Sequence, residues 1–404
     1  MVESAILPSR ELLLSRKREA EARIRDIHIK CFPGYERPVF LISNAYPGVW
    51  LEHAYDAVAY ARLTEDGKRV LWGQMHLFLD KQKEDGQLPC YVLDAENPHT
   101  KNYGRLVGYG QIQECVSFAS LCLEAADMLK DEAFLAEAYE KCARWESWLV
   151  RNRMTTGKGL IETFCTFDTG HDNSSRLEGI PGGCPDGDAK NMNALEFLPL
   201  YSPDVNAVFY GTRQALSKMA ERLGKSSEAR EWAQKAETLR LRMTEILFDP
   251  DEEFFFDVDR FGNRRRHFSI AAMTVFQEHA ADKPLFERVY RRHFRNPDEF
   301  WTDYPFPSLS KSDSLFARRK PGNDWGYYAQ ALTALRAMRW MDFYGVGDDL
   351  TELYRRWVTG LANARENVFS QELDPLTGEA SCSSRGYSSA LLLYLHGLKR
   401  LGIE

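Results

Sequence analysis

The sequence predicts an all-α fold, six helical hairpins closed into an (α/α)6 barrel, with long loops gathered into a pocket at one end. Three observations predict it. Apolar residues recur with helical period along most of the chain, connections alternate between short and long, and strand alternation is nearly missing. Glu253–Asp257 and Pro38–Ile42 are the best short strand candidates.

The periodicity is plain in two stretches. Over residues 111–130 it runs through Ile112, Val116, Ala119, Leu123, Ala126 and Leu129. Over 204–223 it runs through Val205, Val208, Phe209, Leu216, Met219, Ala220 and Leu223. The same spacing places helices near 9–28, 50–63, 68–83, 110–130, 132–152, 204–224 and 226–248, then near 267–279, 283–294, 324–342, 348–366 and 386–401. Asp131 and Gly224-Lys225-Ser226 are tight turns within pairs. The segments 84–108, 153–203, 249–266, 295–323 and 367–385 are long loops carrying aromatic and acidic residues, which marks them as ordered and functional. No repeat of solenoid length appears, which disfavours an open superhelix. With no composition shift along the chain, residues 1–404 are expected to form one catalytic domain, with 1–45 as a helical or extended lead-in.

Composition excludes several functions. The net charge is −7 and the richest basic cluster, Arg264-Arg265-Arg266, is short, so nucleic acid is not an expected partner. No apolar run approaches membrane-spanning length, and residues 1–30 lack the apolar core of a secretory signal. Eight cysteines with no CxxC pair point to reduced thiols, a cytoplasmic protein and no zinc. No metal or other cofactor is demanded, and oligomeric state is not readable. Aromatics at 12% fill a core, and they also suit a cleft that stacks on sugar rings.

Four segments could carry chemistry. Phe164–Arg176 sets Asp168, His171, Asp172, Asn173, Ser174, Ser175 and Arg176 around Gly170. That density of hydrogen-bonding groups suits a polyhydroxylated ligand, and equally a turn network capping a helix. Phe369–Glu379 sets Glu372 before an Asp374-Pro375 turn, a pattern that surface turns share. Trp50–Asp56 and Gly322–Tyr328 each open a helix with acids and aromatics, which serve as well for caps as for contacts.

Taken in order from about residue 45 onward, these segments resemble glycoside hydrolase family 63 and its trehalase-like relatives. Gln82, Asp85-Gly86 and Pro89 match the element after the first helix pair. Gly170–Arg176 is similar to the family's Gly-x-Asp-Asn-Ser-Pro-Arg, whose Asp is the general acid. Asp204-Val205-Asn206-Ala207, Leu247-Phe248-Asp249 and Phe254–Asp257 follow. Phe369–Gly378 resembles the segment that carries the general base. The resemblance thus implies Asp172 as acid and Glu372 as base, inversion at an α-linkage, and a small soluble α-glucoside or α-mannoside. The inverting route calls for carboxyls roughly 6.5–9.5 Å apart, and an acid whose pKa is raised by its surroundings. Glu52, Gln111, Asn173, Arg176 and Trp325 are the expected sugar contacts, with Arg176 facing hydroxyls and Trp325 the stacking platform. His53 and His171 flank the site, where a lone histidine is more often structural.

There are departures. The family's Trp-Asp pair appears as Leu51-Glu52, its Gln-Pro-Pro as Gln111-Ile112-Gln113, and its Tyr-x-Gly-x-x-Trp survives only as Gly322–Trp325. They suggest an altered substrate rather than lost activity. Two alternatives stand beside the hydrolase. One is a sugar epimerase of the N-acylglucosamine 2-epimerase type, working through histidines. The other is a carbohydrate-binding protein on a decayed hydrolase framework.

Overall fold

A computed structural model describes residues 6–192, 195–317, 323–381 and 386–403, so Gly322 of the segment singled out above and Cys382 lie outside the described residues. Among the described residues, twelve α-helices dominate, separated by short antiparallel strand pairs.

Helix α1 (Arg10–Arg23) starts at the Ser9 cap and runs through a wider turn into β1 (Ile29–Phe32), which pairs with β2 (Tyr35–Phe40). Strands β3 (Gly48–Trp50), β4 (Tyr91–Leu93) and β5 (Val107–Gly108) form a small sheet around the first hairpin, α2 (Ala54–Ala61) and α3 (Glu65–Asp80). The next hairpins are α4 (Phe118–Leu129) with α5 (Glu132–Arg153), and α6 (Pro203–Arg222) with α7 (Ser226–Leu247). Two strand pairs follow, β6 (Phe248–Asp249) with β7 (Phe254–Phe255) and β8 (Asp257–Val258) with β9 (Arg264–Arg265). The chain continues through α8 (Thr274–Gln277), α9 (Lys283–Val289), β10 (Ala329–Gln330), α10 (Ala331–Arg336), α11 (Gly347–Asn363), β11 (Glu372–Leu373) and α12 (Ser388–Arg400).

Burial alternates along the series. Every residue of α2 is buried, and α6, α10 and α12 are buried over most of their lengths, while α7 buries only a stripe from Ala229 to Leu247. Helices hidden on all sides are apolar all round; those covering them need one apolar face. Five of the six neighbouring pairs of even-numbered helices also touch: α2 meets α4, α4 meets α6, α6 meets α8, and α10 meets α12, which returns to α2. Both short strand candidates are present in β2 and in β7–β8.

Two of the differences from the expected helices bear on the site. Residues 111–117 are not helical, because Asp168 pulls them onto the 164–176 loop: its Oδ1 accepts from Ile112 N–H (2.8 Å) and its carbonyl from Gln113 N–H (3.2 Å). Helix α4 therefore begins only at Phe118, where Ser117 caps it. Similarly, residues 324–330 are not helical: 325–327 form a turn, and Ala329–Gln330 are strand, Gln330 pairing across to Glu372 before α10 begins. Both exceptions line the region where the chemistry would sit.

Candidate active site

Strand pairing fixes Glu372. Its register opposite Gln330 turns the carboxyl inward, and the residue is fully buried. Oε1 accepts from Asp324 N–H (2.8 Å) and Gln330 Nε2 (2.7 Å), and Oε2 from Ser381 Oγ (2.7 Å). Donors thus converge on both oxygens and fix the carboxyl's orientation.

Asp172 sits differently. It follows Gly170, whose φ of +69° turns the loop inward, and its carbonyl accepts from Trp325 N–H (3.2 Å). Oδ2 takes one long hydrogen bond from Asn323 Nδ2 (3.3 Å), while Oδ1 is buried with no partner. Burial, and then the negative charge of Glu52, push its pKa up to about 7; Glu372 adds to the rise. The two expected catalytic carboxyls therefore lie within electrostatic reach of one another, one held by donors and one inclined to keep its proton.

Of the expected contacts, Glu52 and Trp325 line a common cavity together with Cys115, Gly170, Asn323, Leu332, Arg336, Gln371 and Tyr387. Trp325 has one ring face already covered by His171, stacked at 4.1 Å and 12°. Gln111 stands one residue away: it donates to Gln113 (2.9 Å), and Gln113 in turn donates to Glu52 (3.2 Å). Asn173 is exposed and donates to the Asn323 carbonyl (2.7 Å), so in this arrangement it ties two loops together.

Arg176 is a correction. Rather than facing sugar hydroxyls it is wholly buried, with Nη1 on both oxygens of Asp257 (2.6 Å each) and Nη2 on Asp204 Oδ2 (2.6 Å). A guanidinium removed from water needs carboxylate partners, and two were waiting in the segments that share the sequence resemblance. His171 completes this group: burial, and then Arg176, hold its pKa well below the usual histidine value, so its neutral Nδ1 can accept from Arg176 Nη2 (3.2 Å).

Sequence reasoning missed Asn323, Gln330, Gln371, Ser381 and Tyr387. It also missed the aromatic wall beside the acid, where Tyr103 packs edge-on against Trp50 and Tyr91, both at 5.7 Å, and feels the charge of Asp172. Gln371 and Ser381 lay in plain view near Glu372, and Asn323 inside the Gly322–Tyr328 segment; Gln330 and Tyr387 belong to segments with no catalytic pattern.

The cavity is about 10 Å³, and a neighbouring one sharing Cys115, Trp325 and Arg336 is about 30 Å³. Those volumes hold water molecules, not a pyranose, so a sugar would have to part the walls. A surface groove of about 630 Å³ between α1, α3 and α12 lies elsewhere, and its acids Glu21 and Asp66 are exposed.

Residues 46–389 match the family described as the mannosylglycerate hydrolase MGH1-like glycoside hydrolase domain. The chain belongs to this family. It is a glycoside hydrolase. Its structure is similar to the family 63 mannosylglycerate hydrolase of Thermus thermophilus solved with Tris and D-glycerate (TM-score 0.74, 17% identity, 95% of this chain and 99% of that one). It is similar also to the neutral trehalase of Saccharomyces cerevisiae (TM-score 0.67, 12% identity, 95% of this chain and 80% of that one). At those identities the likeness is one of fold. A trehalase of Bombyx mori is 26% identical over 122 residues, 30% of this chain and only 21% of that protein. Among the described residues no helix is long and apolar enough to cross a membrane.

Proposed function

We propose that this glycosidase inverts an α-glycosidic bond in a small soluble glucoside or mannoside, with Asp172 as general acid and Glu372 as general base. The observation that carries the reading is the buried Oδ1 of Asp172, unpartnered on a carboxyl whose pKa is raised to about 7. Such a group is protonated near neutrality and has an unengaged oxygen to offer a leaving group. Glu372, oriented by Gln330, Ser381 and the Asp324 N–H, would take the proton from water on the opposite face.

Glu52 and Trp325 would contact the sugar held by the acid, while Tyr103 would border the departing group. Gln111 and Asn173 would act through Gln113 and Asn323. The sequential contacts of the even-numbered helices support an (α/α)6 barrel formed by the chain as one cytoplasmic domain, with 1–45 as its lead-in. The D-glycerate in complex with the Thermus enzyme makes glycosides of small hydroxy acids the first candidates to try.

Incubation with a panel of α-glucosides and α-mannosides, followed by proton NMR of the fresh product, tests the reading. Initial release of the β-anomer by wild type, lost in both Asp172→Asn and Glu372→Gln, is expected. Initial release of the α-anomer would overturn inversion, and undiminished cleavage by either variant would remove that residue from its role.

A further inference from the structure

The residue that follows the departure at Leu51-Glu52 is a histidine. His53 is 2% exposed and sits in a chain of polar groups that ends at the acid. Its Nδ1 lies 3.2 Å from Asp56 Oδ2, and its Nε2 lies 3.1 Å from Glu52 Oε1 and 2.8 Å from the Tyr387 hydroxyl. Asp56 is itself held by the hydroxyls of Ser388 (2.5 Å) and Ser389 (3.0 Å) from the start of α12. On the far side, Glu52 Oε2 takes the Gln113 amide, and its backbone carbonyl accepts from Arg336 of α10. Gly170, two residues before Asp172, leaves room for the carboxylate: a Cβ there would fall 2.5 Å from Glu52 Oε2.

Two carboxylates set against opposite nitrogens of one buried imidazole favour the ring with both nitrogens protonated. Burial lowers the pKa of His53, but the hydrogen bonds to Asp56 and Glu52 outweigh it and bring it to about 9. Two further groups face this cluster, and neither adds a negative charge. Arg336 approaches from α10, and His28, whose pKa burial lowers, senses Asp56 from the side of β1. Glu52 has one more methylene than the aspartate of the resemblance, and hence more rotamers to lose on being held. The clamp from His53, Gln113 and Gly170 removes that freedom.

We propose that Glu52 and His53 are positioning residues set against each other beside Asp172: the Glu52 carboxylate, clamped by Gln113 and His53, presses Asp172 to keep its proton, and the charged His53 ring, held by Asp56, limits that effect. This rests on the assignment of Asp172 as the acid. Glu52 and His53 then act on Asp172 with opposite sign, although they are adjacent. The anion favours the protonated form of Asp172, and the cation opposes it.

The test reads Asp172 directly. Protein labelled with 13C at the aspartate carboxyls is titrated by NMR, with Asp172→Asn supplying the assignment, in wild type, Glu52→Gln and His53→Gln. The midpoint of Asp172 is expected to fall in Glu52→Gln and to rise in His53→Gln, each by about half a unit or more. Unmoved midpoints, or shifts of the same sign, overturn the proposal. Should His53→Gln not fold, 15N spectra of the wild-type imidazole decide. A His53 ring protonated through about pH 7 sustains the proposal, and a neutral one overturns it. Since substrate plays no part in these readouts, opposed midpoint shifts in a protein that leaves the glycoside panel uncleaved would overturn only the hydrolytic role of Asp172.

Discussion

Asp172 and Arg176 lie four residues apart on one loop, and their surroundings are opposites. Arg176 is enclosed with Asp204 and Asp257, one cation bonded to two carboxyl groups at 2.6 Å. Asp172 is set among Glu52 and Glu372, like charges that disfavour its ionisation, with one oxygen unpartnered. The first arrangement holds β8, α6 and the loop together. The second is costly for an ionised group and is what an acid catalyst requires. A single short motif thus divides into a half that secures the loop and a half that reacts.

Breaking the reactive half should produce the largest effect. Asp172→Asn is expected to lower kcat/KM on a cleaved α-glycoside about 100- to 10,000-fold, checked by steady-state kinetics beside circular dichroism that shows an unchanged fold. Breaking the securing half should damage the fold. Arg176→Met leaves Asp204 and Asp257 buried without their cation, and a loss of about 3–5 kcal/mol in urea unfolding is expected. If Arg176→Met unfolds like wild type, the motif has no separate securing half.

The comparison also predicts opposite behaviour with pH. A raised pKa means that folded Asp172 binds its proton more tightly than the unfolded chain does. The stability this gives is present below about pH 4 and is lost as pH rises through about 7. Asparagine has no such loss, so Asp172→Asn should gain roughly 1–3 kcal/mol over wild type at about pH 8 and nothing at about pH 4, read by thermal melts at both. Activity should fall over the same upper range as the acid loses its proton. The smallest effect is expected at Asn173, which is exposed and hydrogen-bonds only to a neighbouring loop. Asn173→Gly, which tolerates the φ of +55°, should cost less than about 1 kcal/mol and leave kcat within roughly tenfold.

Sequence by itself determined the helix series, the hairpin turns and the loops that carry the acids, because helical period and turn chemistry are local properties. Through the ordered motifs it also brought out Asp172 and Glu372. It could not tell that Asp168 holds residues 111–117 out of α4, or that Gln330 pairs with Glu372, since each depends on a partner more than 40 residues away. Nor could it say which way Arg176 faces. The motif places a cation four residues after an acid, and only the arrival of Asp204 and Asp257 on other elements decides that the guanidinium turns inward. Charge is written in the sequence; its partner is chosen by the tertiary structure, because the cost of burying an ion is set by everything that packs around it.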